Sequence, residues 1–408
     1  MAVVVHVFEE SPVELWGLSS RQRLERVFAT AGVSNFSDNL TEVAEDNSVI
    51  VIRGDYLYDD RIIKSLLTAP NTILQLSSGT TARPVAAHVP GSLAVEARTI
   101  LAGKNPADQL PGIETVTPET LTPIYQQQLR KFDPPFVLPI EKSNRHLLEK
   151  HLFSWSYKGV TDLVTKWAWP LPARLAVQLC VRRGLSPNQV TMAGLGLVCL
   201  AGLLFMFGHY GLGLAAGWLM TFLDTVDGKL ARVTVTSSKM GHIFDHAIDL
   251  IHPPIWYLLW GLGLTRIYPE ITVASLQAIF WLIVIGYLAG RLVEAIFTGL
   301  LGRFGIFCWH QIDSYFRLVT GRRNPNLILL TISILLGRPD LGLFWVAFWT
   351  VATSLFLVVR LAMAIRVRLT SGPLKPWFAD ISQDGRRQSL AVRLFTRRLT
   401  TFPDGSRG

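Results

Sequence analysis

Asp224-Thr225-Val226-Asp227-Gly228-Lys229-Leu230-Ala231-Arg232, followed by Gly241, Asp245 and Asp249, closes one apolar segment and opens the next. On a helix, positions 224, 227, 228 and 231 share a face by i, i+3, i+4 and i+7 spacing. Positions 245 and 249 share a face of the following helix by i, i+4. The loop 233–240 is short enough to make the two helices antiparallel neighbours, so four carboxylates converge at one depth. Held together at a membrane without compensation, they carry a large desolvation and repulsion cost. Divalent cations remove that cost. Hard oxygen donors without thiolates select Mg2+, Mn2+ or Ca2+ over zinc. Gly228, Ala231 and Gly241 clear side-chain bulk from the same face, which leaves room for a bridging pyrophosphate. Arg232 stands near enough to give a phosphate charge-assisted hydrogen bonds.

Outward from this stretch the chain is unevenly apolar. Of its 408 residues 50% are hydrophobic and 17% charged, against about 25% charged in soluble domains, and the imbalance is concentrated between 188 and 365. Six spans are expected at 189–208, 212–231, 241–262, 272–298, 315–337 and 341–364, each near the ~20 residues a bilayer requires. The fifth has a short apolar run, Leu327 to Leu336, with Arg317, Arg322 and Arg323 in its first half. Its start therefore needs a wet cavity. Arg182, Arg183, Lys229, Arg232, Lys239 and Arg303 fall on one side with the tail, and only Arg266 and Arg338 on the other. The positive-inside rule then puts both termini in the cytoplasm of a multi-pass inner-membrane protein. The net charge of +9 reads as affinity for a membrane surface, not for nucleic acid. Cys180, Cys199 and Cys308 form neither a zinc nor a disulfide pattern.

Ahead of the spans, 1–140 alternates strand and helix patterns: Val3 to Phe8, Ser48 to Ile52, Thr72 to Leu76 and Val85 to Val89 as strands, Ser19 to Ala31 and Asp59 to Leu67 as helices. This predicts an α/β domain with a mainly parallel sheet. The connector 141–187 mixes Trp155, Trp167 and Trp169 with Lys158, Lys166 and Arg174, as an interfacial helix does. Ser186-Pro187-Asn188 opens the first span. The expected fold class is thus an α-helical membrane protein with six transmembrane helices over 188–368, preceded by a cytoplasmic α/β domain and followed by a basic tail, 369–408, associated with the surface or partly disordered.

The aspartate stretch resembles the signature of the CDP-alcohol phosphotransferase (CDP-alcohol phosphatidyltransferase) family at every fixed position from Asp224 to Asp249. The resemblance covers roughly residues 150–370 and implies a metal-dependent transferase in phospholipid biosynthesis. Such an enzyme passes a phospho-alcohol group from a CDP-linked donor to a hydroxyl acceptor and releases CMP. It implies Mg2+ or Mn2+ on Asp224, Asp227, Asp245 and Asp249, with Asp249 as general base. It also implies a nucleotide site at Asp224, Gly228, Ala231, Arg232 and Gly241. A homodimer in contact with membrane lipid, without nucleic acid, is expected. Arg291, Arg317, Arg322 and Arg323 are candidates for an anionic acceptor or head group, and His242, His246 and His252 for packing or secondary hydrogen bonding.

The N-terminal region resembles the nucleotidyltransferase-like domain fused to inositol-phosphate-type members, with Arg53-Gly54-Asp55 at the end of a strand. The loop after the first strand departs from that pattern: Phe8-Glu9-Glu10-Ser11-Pro12 carries no glycine and no cation, where a triphosphate needs backbone N–H groups and positive charge. A degenerate domain is expected. A bifunctional cytidylyltransferase/phosphotransferase is the alternative within the family. A cation transporter or channel is the alternative outside it, because carboxylates inside spans also mark ion paths.

Overall fold

The computed structural model describes residues 3–78, 81–103, 110, 112–123, 125–126, 129–237, 239–379 and 390–395, without the side chains at 77, 78, 81, 239, 240, 242, 244 and 245. The N-terminal elements are β1 (Val3–Phe8), α1 (Ser20–Thr30), β2 (Ser48–Arg53), β3 (Tyr56–Tyr58), α2 (Asp60–Leu67), β4 (Thr72–Ser78), β5 (Thr81–Pro90), α3 (Ala94–Leu101), β6 (Glu114–Val116), α4 (Pro118–Leu121), β7 (Tyr125–Gln126), β8 (Lys131–Phe132) and β9 (Val137–Pro139). The main sheet runs β1-β2-β5-β4-β6. Pairs β1–β2 and β4–β6 are parallel, but β2–β5 and β4–β5 are antiparallel. The sheet is therefore mixed, which corrects the mainly parallel expectation. Only 77–84 separates the two runs expected as strands, too little for a parallel crossover of a dozen or more residues.

Helix α1 starts where its chemistry says it should. Ser19 Oγ accepts a hydrogen bond from Gln22 N–H, and Gln22 Oε1 accepts one from Ser19 N–H, a reciprocal cap. Its inner face, Leu24, Val27 and Phe28, is buried under the sheet with Val5, Ile50 and Ile52.

The C-terminal half is helical: α5 (Arg145–Trp155), α6 (Pro170–Arg182), α7 (Pro187–Met206), α8 (Tyr210–Val233), α9 (Lys239–Ile267), α10 (Val273–Ile296), α11 (Gln311–Val319), α12 (Arg323–Leu335), α13 (Pro339–Ser371) and α14 (Leu390–Phe395). Among the described residues three helices are long and apolar enough to cross a membrane: Pro187–Met206, Val273–Gly302 and Pro339–Ser371. The fifth expected span is not one helix. It breaks at 320–322 into α11 and α12, and the 13 residues of α12 rise only ~20 Å, short of a ~30 Å hydrocarbon core.

Helix α7 packs against both α8 and α9. A Cβ on Gly213 would lie 2.5 Å from the Phe205 ring, and one on Gly263 would lie 2.1 Å from the Phe205 carbonyl. Only glycine permits those approaches, the means by which apolar helices gain contact where no water drives them together.

The tail is more ordered than expected where it is described. Phe378 and Phe395 are fully buried, and Phe378 stacks on Tyr125 at 6.0 Å. Residues 380–389 and 396–408 lie outside the described residues.

Candidate active site

Helix α8 carries Asp224 and Asp227, and α9 carries Asp249. One guanidinium joins the two helices: Arg323 Nη2 donates to Asp224 Oδ2 at 2.5 Å, and Arg323 Nη1 donates to Asp249 Oδ1 at 2.5 Å. The expected convergence of the two acidic faces is therefore present at Asp224 and Asp249, across a cation. Asp227 is buried, and Thr191 Oγ1 on α7 donates to its Oδ2 at 2.6 Å. Asp245 lies on the first part of α9, and its side chain lies outside the described residues.

Arg323 was expected on the acceptor side. It instead stands at the carboxylates because the break at 320–322 starts α12 beside α8, with Arg323 as its first residue. Carboxylates gathered in an apolar bundle need positive charge, and this side chain supplies it. The donor set suits a hard divalent ion: Asp224, Asp227 and Asp249 would hold it, and the guanidinium already occupies the position of such a charge.

Gly228 is not open space. The Arg232 guanidinium lies over it, with Nη2 3.1 Å from where a Cβ would be. An added Cβ would require the Arg232 guanidinium to give way by a few tenths of an ångström. Ala231 is half-buried, and Gly241 is half-buried in the first turn of α9. His252 packs edge-on against Trp256 at 4.7 Å with Nδ1 2.6 Å from the Ile248 carbonyl, a packing role. The His242 side chain lies outside the described residues, and His246 is exposed.

The other arginines form a second group. Arg322 and Arg291 both approach Glu294, the latter at 3.9 Å, and Arg291 Nη2 also donates to Tyr287 Oη at 3.1 Å. Tyr287 Oη in turn donates to the Leu250 carbonyl at 2.9 Å, next to Asp249 in the chain. Arg317 has Nε and Nη1 buried without a hydrogen-bond partner. Buried polar groups are nearly always satisfied, so these donors are free to take a partner near the site.

Sequence reasoning missed Thr191, Tyr287 and the Asp162–Asn324 pair. Asn324 Nδ2 donates to Asp162 Oδ1 at 2.9 Å and ties the connector to α12. Burial pushes the Asp162 carboxyl up, but Arg317 and hydrogen bonds from Thr165 and Asn324 outweigh it and hold it below the usual carboxylate range. Thr191, one turn after Pro187 in the Ser186-Pro187-Asn188 start, was the legible signal among these.

The α/β half also touches the end of α8. Arg23 Nη2 donates to the Val233 carbonyl at 2.6 Å, and Arg26 Nη1 to the Thr234 carbonyl at 2.7 Å. Both acceptors belong to the end of α8, where carbonyls lack intrahelical partners and the dipole is negative. Burial lowers the Arg23 pKa to about 10, so it stays charged at neutral pH. Val235 has φ +50° and buries its side chain in the core of the α/β half. A β-branched residue in that region is strained, so the surrounding core must hold it there.

A family model described as CDP-alcohol phosphatidyltransferase matches residues 185–307. This segment is a CDP-alcohol phosphatidyltransferase domain. The CDP-alcohol phosphatidyltransferase domain thus contains all four signature aspartates, while Arg317, Arg322 and Arg323 lie beyond its matched residues. The chain is 35% identical to cholinephosphotransferase 1 of Gallus gallus over 132 residues, 29% of this chain and 37% of that protein. It is 24% identical to the bifunctional IPC transferase and DIPP synthase of Archaeoglobus fulgidus over 194 residues, 45% of this chain and 34% of that one. It is 27% identical to the phosphatidylinositol phosphate synthase of Mycolicibacterium smegmatis over 223 residues, 52% of this chain and 91% of that one. The chain spans about a third of the length of the first two relatives.

Proposed function

We propose that the protein transfers a phospho-alcohol group from a CDP-linked donor to a hydroxyl acceptor, with release of CMP, in phospholipid synthesis. The observation that carries the reading is the meeting of Asp224 and Asp249, from two different helices of the matched domain, on one cation. In this reaction the acceptor oxygen attacks the phosphorus that bears the donor alcohol. Its O–H proton passes to the Asp249 carboxylate, and the bond from that phosphorus to the CMP oxygen breaks with its electron pair leaving on CMP. Mg2+ or Mn2+ held by Asp224, Asp227, Asp245 and Asp249 would polarise the diphosphate and stabilise the charge on CMP. Asp224, Gly228, Ala231, Arg232 and Gly241 would form the nucleotide side, with Thr191 fixing Asp227. Arg317 offers its unpartnered N–H groups to an anionic acceptor or head group, and Arg291 and Arg322 stand beside it.

Domains 1–140, 141–187, 188–368 and 369–408, six membrane crossings, a homodimer and cytoplasmic termini at an inner membrane belong to the same proposal; the fifth crossing is then made by the short α12, with the break at 320–322 ahead of it in a wet cavity. Positive-inside charge supports the orientation. Arg53 pairs with Glu9 at 2.5 Å and with Asp55 at 2.6 Å, so the cation beside the loop after β1 is already neutralised by that loop's own acid, which favours a degenerate N-terminal domain over a cytidylyltransferase. A guanidinium between the acidic faces likewise disfavours an ion path.

The test is a screen of CDP-linked donors against hydroxyl acceptors with purified protein, scored by CMP release with and without Mn2+. At least one pair should release CMP only with the metal. No release from any lipid or polar CDP-alcohol would remove the assignment.

A further inference from the structure

A cleft of about 530 Å³ lies outside the matched domain, and its walls include Lys131, Lys150, Lys158, Lys166 and Arg174 but no carboxylate. None of the site aspartates lines it. Lys131 is compensated: its Nζ lies 2.8 Å from Asp133 Oδ2 and donates to the Trp155 carbonyl at 2.6 Å. Among the described residues the other four have no carboxylate within ion-pair distance. Lys166 Nζ reaches only the Gly159 carbonyl, at 3.2 Å, and the Phe395 ring, at 5.2 Å. Arg174 keeps Nε buried without a partner and has Nη2 3.4 Å from His146 Nε2. Burial lowers the Lys166 pKa to about 8, as it does for a cation held away from water with no carboxylate opposite it.

The rim identifies the surroundings. Leu171, Leu175 and Leu179 of α6 are 73%, 60% and 54% exposed. At i, i+4 and i+8 they form one outward apolar stripe, the face an interfacial helix buries among acyl chains. Leu171 also lines the cleft, with Phe153 and, from the tail helix α14, Leu394 and Phe395. A molecule filling this space would meet cations at one end and aliphatic carbon at the other.

We infer that the cleft binds the phosphate of an anionic membrane lipid, with the lipid's acyl chains lying along Leu171 and Leu175. The cleft adjoins the proposed transfer centre: none of the site aspartates lines it, but Lys158 on its wall lies within electrostatic reach of Asp224, Arg232 and Arg317. It is assembled from the α/β half (Lys131), the connector (Lys150 to Arg174) and the tail (Leu394, Phe395), so an occupied cleft fastens all three to the bilayer surface. Gly159 marks the junction: a Cβ there would lie 2.6 Å from the Arg130 carbonyl and 2.9 Å from the Phe395 carbonyl.

Native mass spectrometry of the full chain, released from nanodiscs of phosphatidylcholine with a minority of phosphatidylglycerol, tests this. The wild type should retain phosphatidylglycerol at least tenfold over its share of the bilayer. The triple variant Lys150→Gln/Lys166→Gln/Arg174→Gln should lose that enrichment while keeping its melting temperature in pure phosphatidylcholine. Lys150→Gln alone, at an exposed position, serves if the triple variant does not fold and should lower retention severalfold. A second arm adds sn-glycerol 3-phosphate. Failure to displace the lipid supports a membrane source. Binding of the soluble ester without lipid enrichment keeps the phosphate site but assigns it a soluble ligand. Equal lipid enrichment in wild type and variants, or none in either together with no binding of the ester, overturns the inference. These lipid counts do not depend on whether the protein releases CMP.

Discussion

The clasp between α1 and the turn after α8 ties the α/β half to the end of the helix that carries Asp224 and Asp227, and Arg23→Met/Arg26→Met removes it. The methionines keep most of the aliphatic volume and delete both guanidinium groups. Arg23 is buried and donates to Val233 at 2.6 Å, and Arg26 donates to Thr234 at 2.7 Å. Hydrogen bonds from a charged donor contribute about 1.5–3 kcal/mol when buried, and a partly exposed one contributes less. A combined loss of roughly 2–4 kcal/mol is expected, which raises the open population of the 233–236 turn by roughly 30- to 1,000-fold at about 1.4 kcal/mol per decade. Hydrogen exchange read on peptides over 228–240 should speed up by that range. Exchange in α13, which is remote from the clasp, should not change. Because Asp227 and Asp249 flank the turn, CMP release should fall as well. Unchanged exchange at 233–236 in a folded variant would refute the reasoning.

Asp249→Asn should lower CMP release by about 10²–10⁴-fold, the usual worth of a general base, while Mn2+ binding measured by calorimetry persists; full turnover would remove the proposed base. Arg323→Gln removes the cation between Asp224 and Asp249, so the metal-free protein should melt earlier, and added Mn2+ should raise its melting temperature by more than it raises that of wild type. An equal metal-induced rise in both would contradict the stand-in role of Arg323. His6 and His88 are buried in the main sheet, and burial lowers both pKa values. The unfolded chain takes up these protons near pH 6.5 while the folded chain resists, so their stabilisation is complete above that pH and is lost as pH falls below it. Asp60, raised to about 6 by burial and then by Asp59, acts in the opposite sense. Comparing melting at pH 7.5 and 5.5 in wild type and His88→Gln isolates the histidine: the variant should lose part of the pH dependence.

The legible parts of the sequence were those governed by local periodicity. The spacing of Asp224, Asp227 and Asp249 led to two acidic faces, and the ends of α1, α2, β1 and β2 fell within a residue or two of expectation because Ser19 and Asp59 are strong caps. Arg323 was not legible in its role. Its placement depends on where the 320–322 break sets α12 against α8, a matter of tertiary packing. The clasp was equally hidden, since Arg23 and Val233 are 210 residues apart and nothing local in either segment requires the other. The mixed sheet, by contrast, could have been read from the short separation of β4 and β5.

Manganese anomalous scattering from crystals grown with Mn2+ and CDP addresses the carboxylate cluster itself. The account predicts a peak within coordinating distance of Asp224, Asp227 and Asp249, with the Arg323 guanidinium moved off at least one of its carboxylates. Manganese bound elsewhere, or no peak while Arg323 still bridges Asp224 and Asp249 at saturating metal, would contradict it.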